Sequence, residues 1–90
     1  MKPAISYVEP IFVVSSNIDA IGYNDLTLYI RFKSGGTYAY AETPRSVFDA
    51  LRKAESAGQF FHRFIKGKYR YERLEHDPMS QPLIQLPKAA

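Results

Sequence analysis

Apolar and polar residues alternate without interruption over residues 26–33, which is the clearest pattern in the chain. The apolar positions are Leu26, Leu28, Ile30 and Phe32. A period of two predicts a β-strand with one buried and one solvated face. Ser34, Gly35 and Gly36 then form a turn, and we expect residues 37–41 to return as the partner strand of a hairpin.

Two weaker strand signals precede this hairpin. Residues 7–14 are apolar and β-prone but contain Pro10, which is typical of an edge strand or an extended arm. Residues 18–23 form a plausible short strand that ends at Asn24 and Asp25, whose side chains favour turns. The pattern therefore predicts an antiparallel meander of three or four strands.

Helical spacing replaces alternation after residue 42. Thr43 as N-cap and Pro44 in the first helical position predict a helix that runs to about Ala57 and is ended by Gly58. Its apolar stripe consists of Val47, Phe48, Leu51 and Ala54. A short second helix is predicted from the spacing of Phe60, Phe61, Phe64 and Ile65, with His62, Arg63 and Lys66 outward and Gly67 as its end.

These elements predict an α+β fold in which two helices follow the sheet and pack on one of its faces. Residues 68–74 could add a last strand. We divide the chain into an N-terminal arm or edge strand over residues 1–14, a domain over residues 15–74, and a flexible proline-bearing tail over residues 75–90.

Length and composition restrict the class of protein. Ninety residues allow one modest domain, and 46% hydrophobic residues predict a packed core. The chain has no cysteine, which excludes disulfides and thiolate metal sites. We see no signal peptide and no membrane span, so we expect a cytoplasmic protein that does not bind membranes.

Positive charge is concentrated in one part of the chain. Residues 44–73 contain eight lysines and arginines against three acidic residues, so this part carries +5 of a total formal charge of +3 and the remainder carries −2. Such asymmetry favours an anionic partner for one face, although a charged run is often only a solvated surface.

Several short motifs occur together in one order along the chain. They are Ser16-Asn17-Ile18, Ile21-Gly22-Tyr23, Phe32-Lys33-Ser34-Gly35-Gly36, Tyr38-Ala39-Tyr40 and Ser56-Ala57-Gly58, followed by Phe61, Ile65, Tyr69 and Tyr71. This set, over about residues 14–73, resembles the KTSC domain, a C-terminal extension of some lysyl-tRNA synthetases that also occurs as stand-alone small proteins. The function of this family is unassigned, and the resemblance suggests RNA binding mainly through the association with the synthetase. His62 is a departure, because the family usually has Asn after the aromatic residue.

The number of residues in the hairpin loop decides which way the central tyrosines point. A two-residue loop pairs Arg31 with Tyr38 and Tyr29 with Tyr40, which places all three rings on the solvated face. A three-residue loop buries Tyr38 and Tyr40 against the helices instead. We expect the two-residue loop, because short hairpins prefer two-residue primed turns in which glycine is common.

An exposed sheet face with tyrosines and cations predicts binding of single-stranded RNA or another nucleic acid. The stacking residues would be Tyr29, Tyr38 and Tyr40, and the phosphate-binding residues would be Arg31, Lys33, Arg63, Lys66, Lys68 and Arg70. Single-stranded bases stack on aromatic rings while lysine and arginine attract the phosphates. The competing interpretation is that the tyrosines are half-buried core residues with polar tips.

Two other functions are compatible with the same residues. The chain could form a homo-oligomer that encloses a nucleotide or another small phosphorylated ligand, with contacts through residues 11–14 or 83–86. The same two apolar stretches could instead dock a protein partner, which would make the chain an adaptor.

Catalysis has little support in the sequence. Only His62 and His76 could act near neutral pH, and neither has an evident third group that would orient it. Two distant histidines do not predict a metal site, and the Ser34-Gly35-Gly36 turn is too short for a phosphate-binding loop. We therefore expect a binding module without cofactor or metal, not an enzyme.

Overall fold

The computed structural model describes residues 7–80, which form an α+β fold. Five antiparallel strands lie side by side in chain order: β1 (Ile11–Phe12), β2 (Ile18–Asn24), β3 (Thr27–Phe32), β4 (Thr37–Tyr40) and β5 (Tyr71–Leu74). Between β4 and β5 the chain forms α1 (Arg45–Lys53), α2 (Ala57–Phe60) and a π-helix (Phe61–Ile65). The predicted meander with helices after it is confirmed, with one strand more than expected.

The helices cover one face of the sheet, called here the helix face; the opposite one is the back face. The main core lies under the helices and consists of Ile18, Ile21, Leu28, Ile30, Tyr40, Phe48, Leu51, Ala57, Phe61 and Ile65. The alternation over residues 26–33 predicted a strand with one buried face, and this is confirmed because Leu28 and Ile30 are fully buried on the helix face. Leu26 departs from the pattern because it lies in the turn before β3 with a positive φ of 60°.

The helical region is divided differently from the prediction. Pro44, in an extended conformation, is the N-cap of α1, and the buried hydroxyl of Thr43 instead donates a 3.0 Å hydrogen bond to the carbonyl of Tyr40. The helix ends at Lys53 because Ser56 begins a new one: its hydroxyl accepts a hydrogen bond from Gln59 N–H at 3.2 Å. Gly58 consequently lies inside α2.

The second helix widens into a π-helix towards its end. The N–H of Lys66 donates a 2.8 Å hydrogen bond to the carbonyl of Phe61, five residues earlier. Gly67 follows with a φ of +79°, a conformation that glycine adopts without strain, and the chain then turns towards β5. Such π-turns are often found at functional sites.

The β3–β4 hairpin has a three-residue loop, so the prediction of a two-residue loop is wrong. Phe32 N–H donates to the carbonyl of Gly36 at 3.1 Å, and Gly35 N–H donates back to Phe32 at 2.9 Å. Ile30 therefore lies opposite Tyr38, and Leu28 lies opposite Tyr40. Since residues paired across antiparallel strands share a face, both tyrosines point towards the helices.

Residues at the two ends of the described chain meet on the back face. Val8 N–H donates a 2.8 Å hydrogen bond to the carbonyl of Pro78. Val8 and Met79 are buried and pack with Ala20 of β2. We call residues 77–79 together with Val8 the clasp. The structure thus differs at residues 75–80 from the predicted loose tail, because their apolar and charged side chains find partners on the sheet.

The remaining sequence predictions for the ends of the chain concern residues 1–6 and 81–90, including the apolar stretch 83–86, and lie outside the described residues. Over residues 7–80, no helix is both long enough and apolar enough to cross a lipid bilayer.

Candidate binding cleft

A cleft of about 330 Å³ opens on the helix side of the molecule. Four parts of the chain form it: the start of β2, the β3–β4 turn with the tyrosines of β4, the region from α2 through the π-helix to the turn that follows, and the start of β5. Its lining consists of Asn17, Ile18, Phe32, Ser34, Gly35, Tyr38, Tyr40, Gly58, Phe61, His62, Lys66, Gly67 and Tyr71. This volume is within the range of small-ligand pockets.

Aromatic rings in mutual contact form the wall of the cleft. Phe61 of the π-helix lies edge-on to Phe32 and Tyr40, with ring centroids 5.5 and 5.8 Å apart. Tyr71 of the edge strand β5 leans over Tyr38 and Tyr40 at 5.9 and 5.7 Å. Tyr71 is 58% exposed whereas Tyr40 is 4% exposed. Tyr71 therefore offers a ring to a ligand, while Tyr40 holds the wall in place.

The rim of the cleft carries basic side chains and no carboxylate. Lys66 and His62 contribute the basic groups, and none of the lining residues is an aspartate or a glutamate. Both side chains are exposed and extend from the π-helix and its end. A negatively charged ligand would therefore meet an ammonium group without repulsion from a carboxylate in the lining.

A network of hydrogen bonds fixes Asn17 at the cleft. Its N–H donates to the hydroxyl of Ser15 at 3.1 Å, and its side-chain oxygen accepts from the hydroxyl of Ser16 at 3.2 Å. Its carbonyl accepts a 2.8 Å hydrogen bond from the N–H of Lys33, which joins the hairpin turn to the start of β2. Since the side-chain oxygen accepts from Ser16, the amide N–H₂ group remains as a donor near the cleft.

Gly58 leaves room in the cleft. A Cβ atom at this position would lie 3.5 Å from the Ser15 hydroxyl and 3.8 Å from the Asn17 side-chain nitrogen, which are ordinary contacts. A methyl group would therefore fit there without displacing the protein, and it would take up space that the cleft now offers to a ligand.

The three predicted stacking tyrosines do not form one platform. Tyr38 and Tyr40 face the helices, whereas Tyr29 pairs with Ala39 on the back face. Tyr40 is buried and Tyr38 is half-buried. The interpretation that places the tyrosines partly in the core is the one that agrees with the structure. Burial, followed by the neighbouring Tyr38 and Tyr71, raises the pKa of Tyr40 to about 12.

Among the predicted phosphate-binding residues, Arg31 fits this role least. Its guanidinium donates to Asp19 at 2.9 Å and to Asp77 at 2.6 Å, and its side chain is only 21% exposed. The hydrogen bond to Asp77, which outweighs the effect of burial, and the one to Asp19 raise the pKa of Arg31 above its ordinary value. With two carboxylates already bound, this cation joins the clasp to the sheet and is not part of a binding surface.

The other predicted cations are exposed but separate. Lys66 lines the cleft, and Lys33 lies next to the lining residue Ser34 in the hairpin turn. Arg63 and Lys68 are exposed on the π-helix and the turn after it. Arg70 lines a different cavity, on the back face. The predicted set of cations is thus divided between the two sides of the sheet.

Sequence reasoning missed Asn17, Ser34, Phe61, His62 and Tyr71 as residues of one cleft. A signal was present, because all of these except His62 belong to the short motifs noted in the sequence. What the sequence did not indicate is that motifs separated by up to about fifty residues converge in space.

Known proteins with similar sequences are of two kinds. The chain is 50% identical over 48 residues to the lysine–tRNA ligases of Trichormus variabilis and Nostoc punctiforme. It spans only 9% of the length of these ligases, and the match includes 53% of this chain. It is also 45% identical over 60 residues to a protein of Tsukamurella paurometabola, of which it covers 90%.

A solved structure and a family model agree on the family of this chain. The crystal structure of a KTSC domain protein from Yersinia pestis superposes with a TM-score of 0.72 at 35% identity, covering 74% of this chain and 97% of that one. The model of the KTSC domain matches residues 14–69, which is more than half of the chain and includes every cleft residue except Tyr71. The chain therefore belongs to the KTSC domain family.

Proposed function

We propose that this domain is a non-catalytic binding module whose cleft takes one nucleotide of a single-stranded RNA. The observation that carries the proposal is the combination of a ring wall ending in the exposed Tyr71 with Lys66 at a rim whose lining contains no carboxylate. A base can stack on the ring, and the adjoining phosphate can pair with the ammonium group.

Further donors surround this position. The Asn17 amide can donate to a base or a sugar, and Lys33 and Arg63 extend the positive potential beyond the cleft. The lysine–tRNA ligases that contain a similar segment act, by their name, on an RNA, and this supports RNA over other anions. A cleft of about 330 Å³ suits one nucleotide rather than a double helix.

The size of the cleft also favours a second candidate, a free nucleotide or another small phosphorylated ligand. The two functions differ in their dependence on ligand length. If the domain binds RNA, an oligomer of about ten nucleotides will bind more tightly than a nucleoside monophosphate. If it binds a free nucleotide, the monophosphate will bind at least as tightly as the oligomer.

The charge at the rim can be tested by salt dependence. We expect the affinity for a fluorescent single-stranded RNA to fall with added salt, and Lys66→Gln to lower the logarithmic slope by about 0.7, the value for one lost phosphate contact. Anisotropy titrations at several salt concentrations measure this. Lys53→Gln removes the same charge from the exposed end of α1 and should leave the slope unchanged.

The cleft itself can be tested with Gly58→Ala. The added methyl group makes only ordinary contacts with Ser15 and Asn17, so the free energy of unfolding should stay the same or increase by up to about 1 kcal/mol. We expect weaker binding of both the oligomer and the monophosphate. Unchanged affinity in Gly58→Ala and in Lys66→Gln would show that the cleft does not bind RNA.

A further inference from the structure

A second cavity of about 320 Å³ lies on the back face, where β3, β4 and β5 run side by side. We call it the groove. The clasp covers β2 on this face through Val8 and Met79 and leaves the groove open. Its lining consists of Thr27, Tyr29, Ala39, Ala41, Arg70, Tyr71, Glu72 and Leu74.

The strand register explains the shape of the groove. Ala39 lies on β4, the middle one of these three strands, and pairs with Tyr29 of β3 on one side and with Glu72 of β5 on the other. One step further along, Ala41 N–H donates a 2.8 Å hydrogen bond to the carbonyl of Arg70. Alanine side chains thus form a flat floor, and longer side chains rise from the strands on both sides.

The width of the groove suits a flat ring. Adjacent strands are about 4.8 Å apart, so the two walls stand on backbones separated by roughly 9–10 Å. Tyr29 is held upright because its other side packs against the cluster of Val8, Ala20 and Met79. A planar ligand can therefore lie on Ala39 and Ala41 with its face or edge against a fixed aromatic ring.

The two charged residues of the groove orient such a ligand. Glu72 stands opposite Tyr29 and repels a phosphate there, but its carboxylate can accept hydrogen bonds from the N–H groups of a base. Arg70 lies beside Ala41 at the other end and can pair with a phosphate. A nucleotide bound with its base at Ala39 and its phosphate at Arg70 satisfies both residues.

The groove and the cleft meet at one residue. Tyr71 of β5 lines both cavities. Because the strand order of the described sheet ends at β5, the outer edge of this strand is not covered by a further strand. A single-stranded ligand that leaves the cleft can pass around this edge and reach the groove on the opposite face.

We infer that the groove is a second nucleotide subsite, which takes a base of the same RNA strand on Ala39 and Ala41 against Tyr29 while Arg70 binds its phosphate. This inference rests on the proposed function of the cleft. The RNA would wrap around the edge of the sheet at Tyr71, so that the minimal binding unit is longer than one nucleotide.

Ala39→Val tests the groove because it adds bulk to the floor, and a β-branched residue suits a strand. We expect this variant to bind a single-stranded RNA of about ten nucleotides between about fivefold and a hundredfold more weakly, which corresponds to the loss of one stacked base. Its affinity for a nucleoside monophosphate, bound in the cleft, should not change. Equal thermal unfolding of variant and wild type shows that the fold is intact.

Arg70→Gln provides an independent second variant at an exposed position. It should lower the logarithmic salt slope of oligomer binding by about 0.7 and leave monophosphate binding unchanged, with Lys53→Gln as the charge-matched control. Suppose that Ala39→Val and Arg70→Gln bind the oligomer with wild-type affinity while Gly58→Ala binds it more weakly. The inference about the groove would then be overturned, and the proposal for the cleft would stand. If the cleft variants Gly58→Ala and Lys66→Gln also bind with wild-type affinity, the proposed function itself would be overturned.

Discussion

Arg31 donates a 2.6 Å hydrogen bond to Asp77, a residue 46 positions further along the chain. The same guanidinium donates to Asp19, which lies at a bulge of β2 on the neighbouring strand. Asp77 in turn accepts hydrogen bonds from Met79 N–H at 2.9 Å and from the Ser80 hydroxyl at 3.0 Å. The clasp is therefore joined to the sheet by charge as well as by apolar contact.

Asp77→Asn should lower the free energy of unfolding by about 1–3 kcal/mol, because it weakens charge-assisted hydrogen bonds between two side chains that are each only 21% exposed. Urea or thermal unfolding measures the change. The control is Asp49→Asn, which weakens more exposed ion pairs on α1 and should cost no more than about 0.5 kcal/mol. Equal losses in the two variants would contradict a special role for Asp77.

The same variant should change the response to acid. Burial alone would raise the pKa of Asp77, but the hydrogen bonds from Arg31, Met79 and Ser80 hold that pKa below its ordinary value of 3.8. Because the pKa of Asp77 is lower in the folded protein than in the unfolded chain, its carboxylate stabilises the folded state at pH values above the ordinary pKa. This stabilisation is lost as the pH falls through the pKa of the folded state. Wild-type stability should thus fall below about pH 4, and less steeply in Asp77→Asn.

Tyr40 should govern part of the stability at alkaline pH. Its pKa of about 12, raised mainly by burial from the ordinary 10.0, means that the folded state holds the phenol proton more tightly than the unfolded chain. This contribution is complete below pH 10 and is lost as the pH rises towards 12. Tyr40→Phe should reduce the alkaline loss, measured by unfolding at increasing pH; an unchanged pH dependence would contradict the buried position of the ring.

Gly22→Ala should displace the clasp without altering the cleft. A Cβ atom at this position would lie 2.7 Å from Val8 Cγ1 and 3.0 Å from Met79 Sδ, which is too close. We expect a loss of about 1–3 kcal/mol in the free energy of unfolding, as for other overpacked sites. Amide exchange should become faster at Val8, whose N–H is bonded to Pro78, while Gly58→Ala, with its ordinary contacts, serves as the matched glycine control. Full protection of Val8 in Gly22→Ala would contradict this account of the clasp.

The sequence predicted the elements of the fold better than their relative positions. Strict alternation identified β3, because the period of the side chains is a local property of a strand. The sequence Ser34-Gly35-Gly36 is compatible with loops of either length. The hydrogen bond from Lys33 to Asn17, which contributes to the observed turn, involves a residue just before β2, sixteen positions earlier in the chain. Such a partner is invisible to local patterns, and one residue of register reversed the predicted face of Tyr38 and Tyr40.

The candidate site illustrates the same limit. Lys66 was predicted as an anion-binding residue from its place in a cationic segment, and it does line the cleft. Arg31 was predicted as an anion-binding residue from its place on the solvated face of the sheet, yet it is paired with carboxylates that lie 12 and 46 residues away. Charge composition thus favoured an anionic ligand, whereas only the three-dimensional arrangement of residues 7–80 distinguished a cation exposed at the cleft from one that is ion-paired.

The contact between Val8 and Pro78 has a consequence for how the protein folds. Strands β1 to β4 pair in chain order across short connections, so this part of the sheet can assemble at little entropic cost, and β5 then joins β4 across residues 41–70. The clasp instead closes a loop that contains nearly the whole domain. We therefore expect it to form last during folding and to open first during unfolding, which would make the back face accessible while the core beneath the helices is still intact.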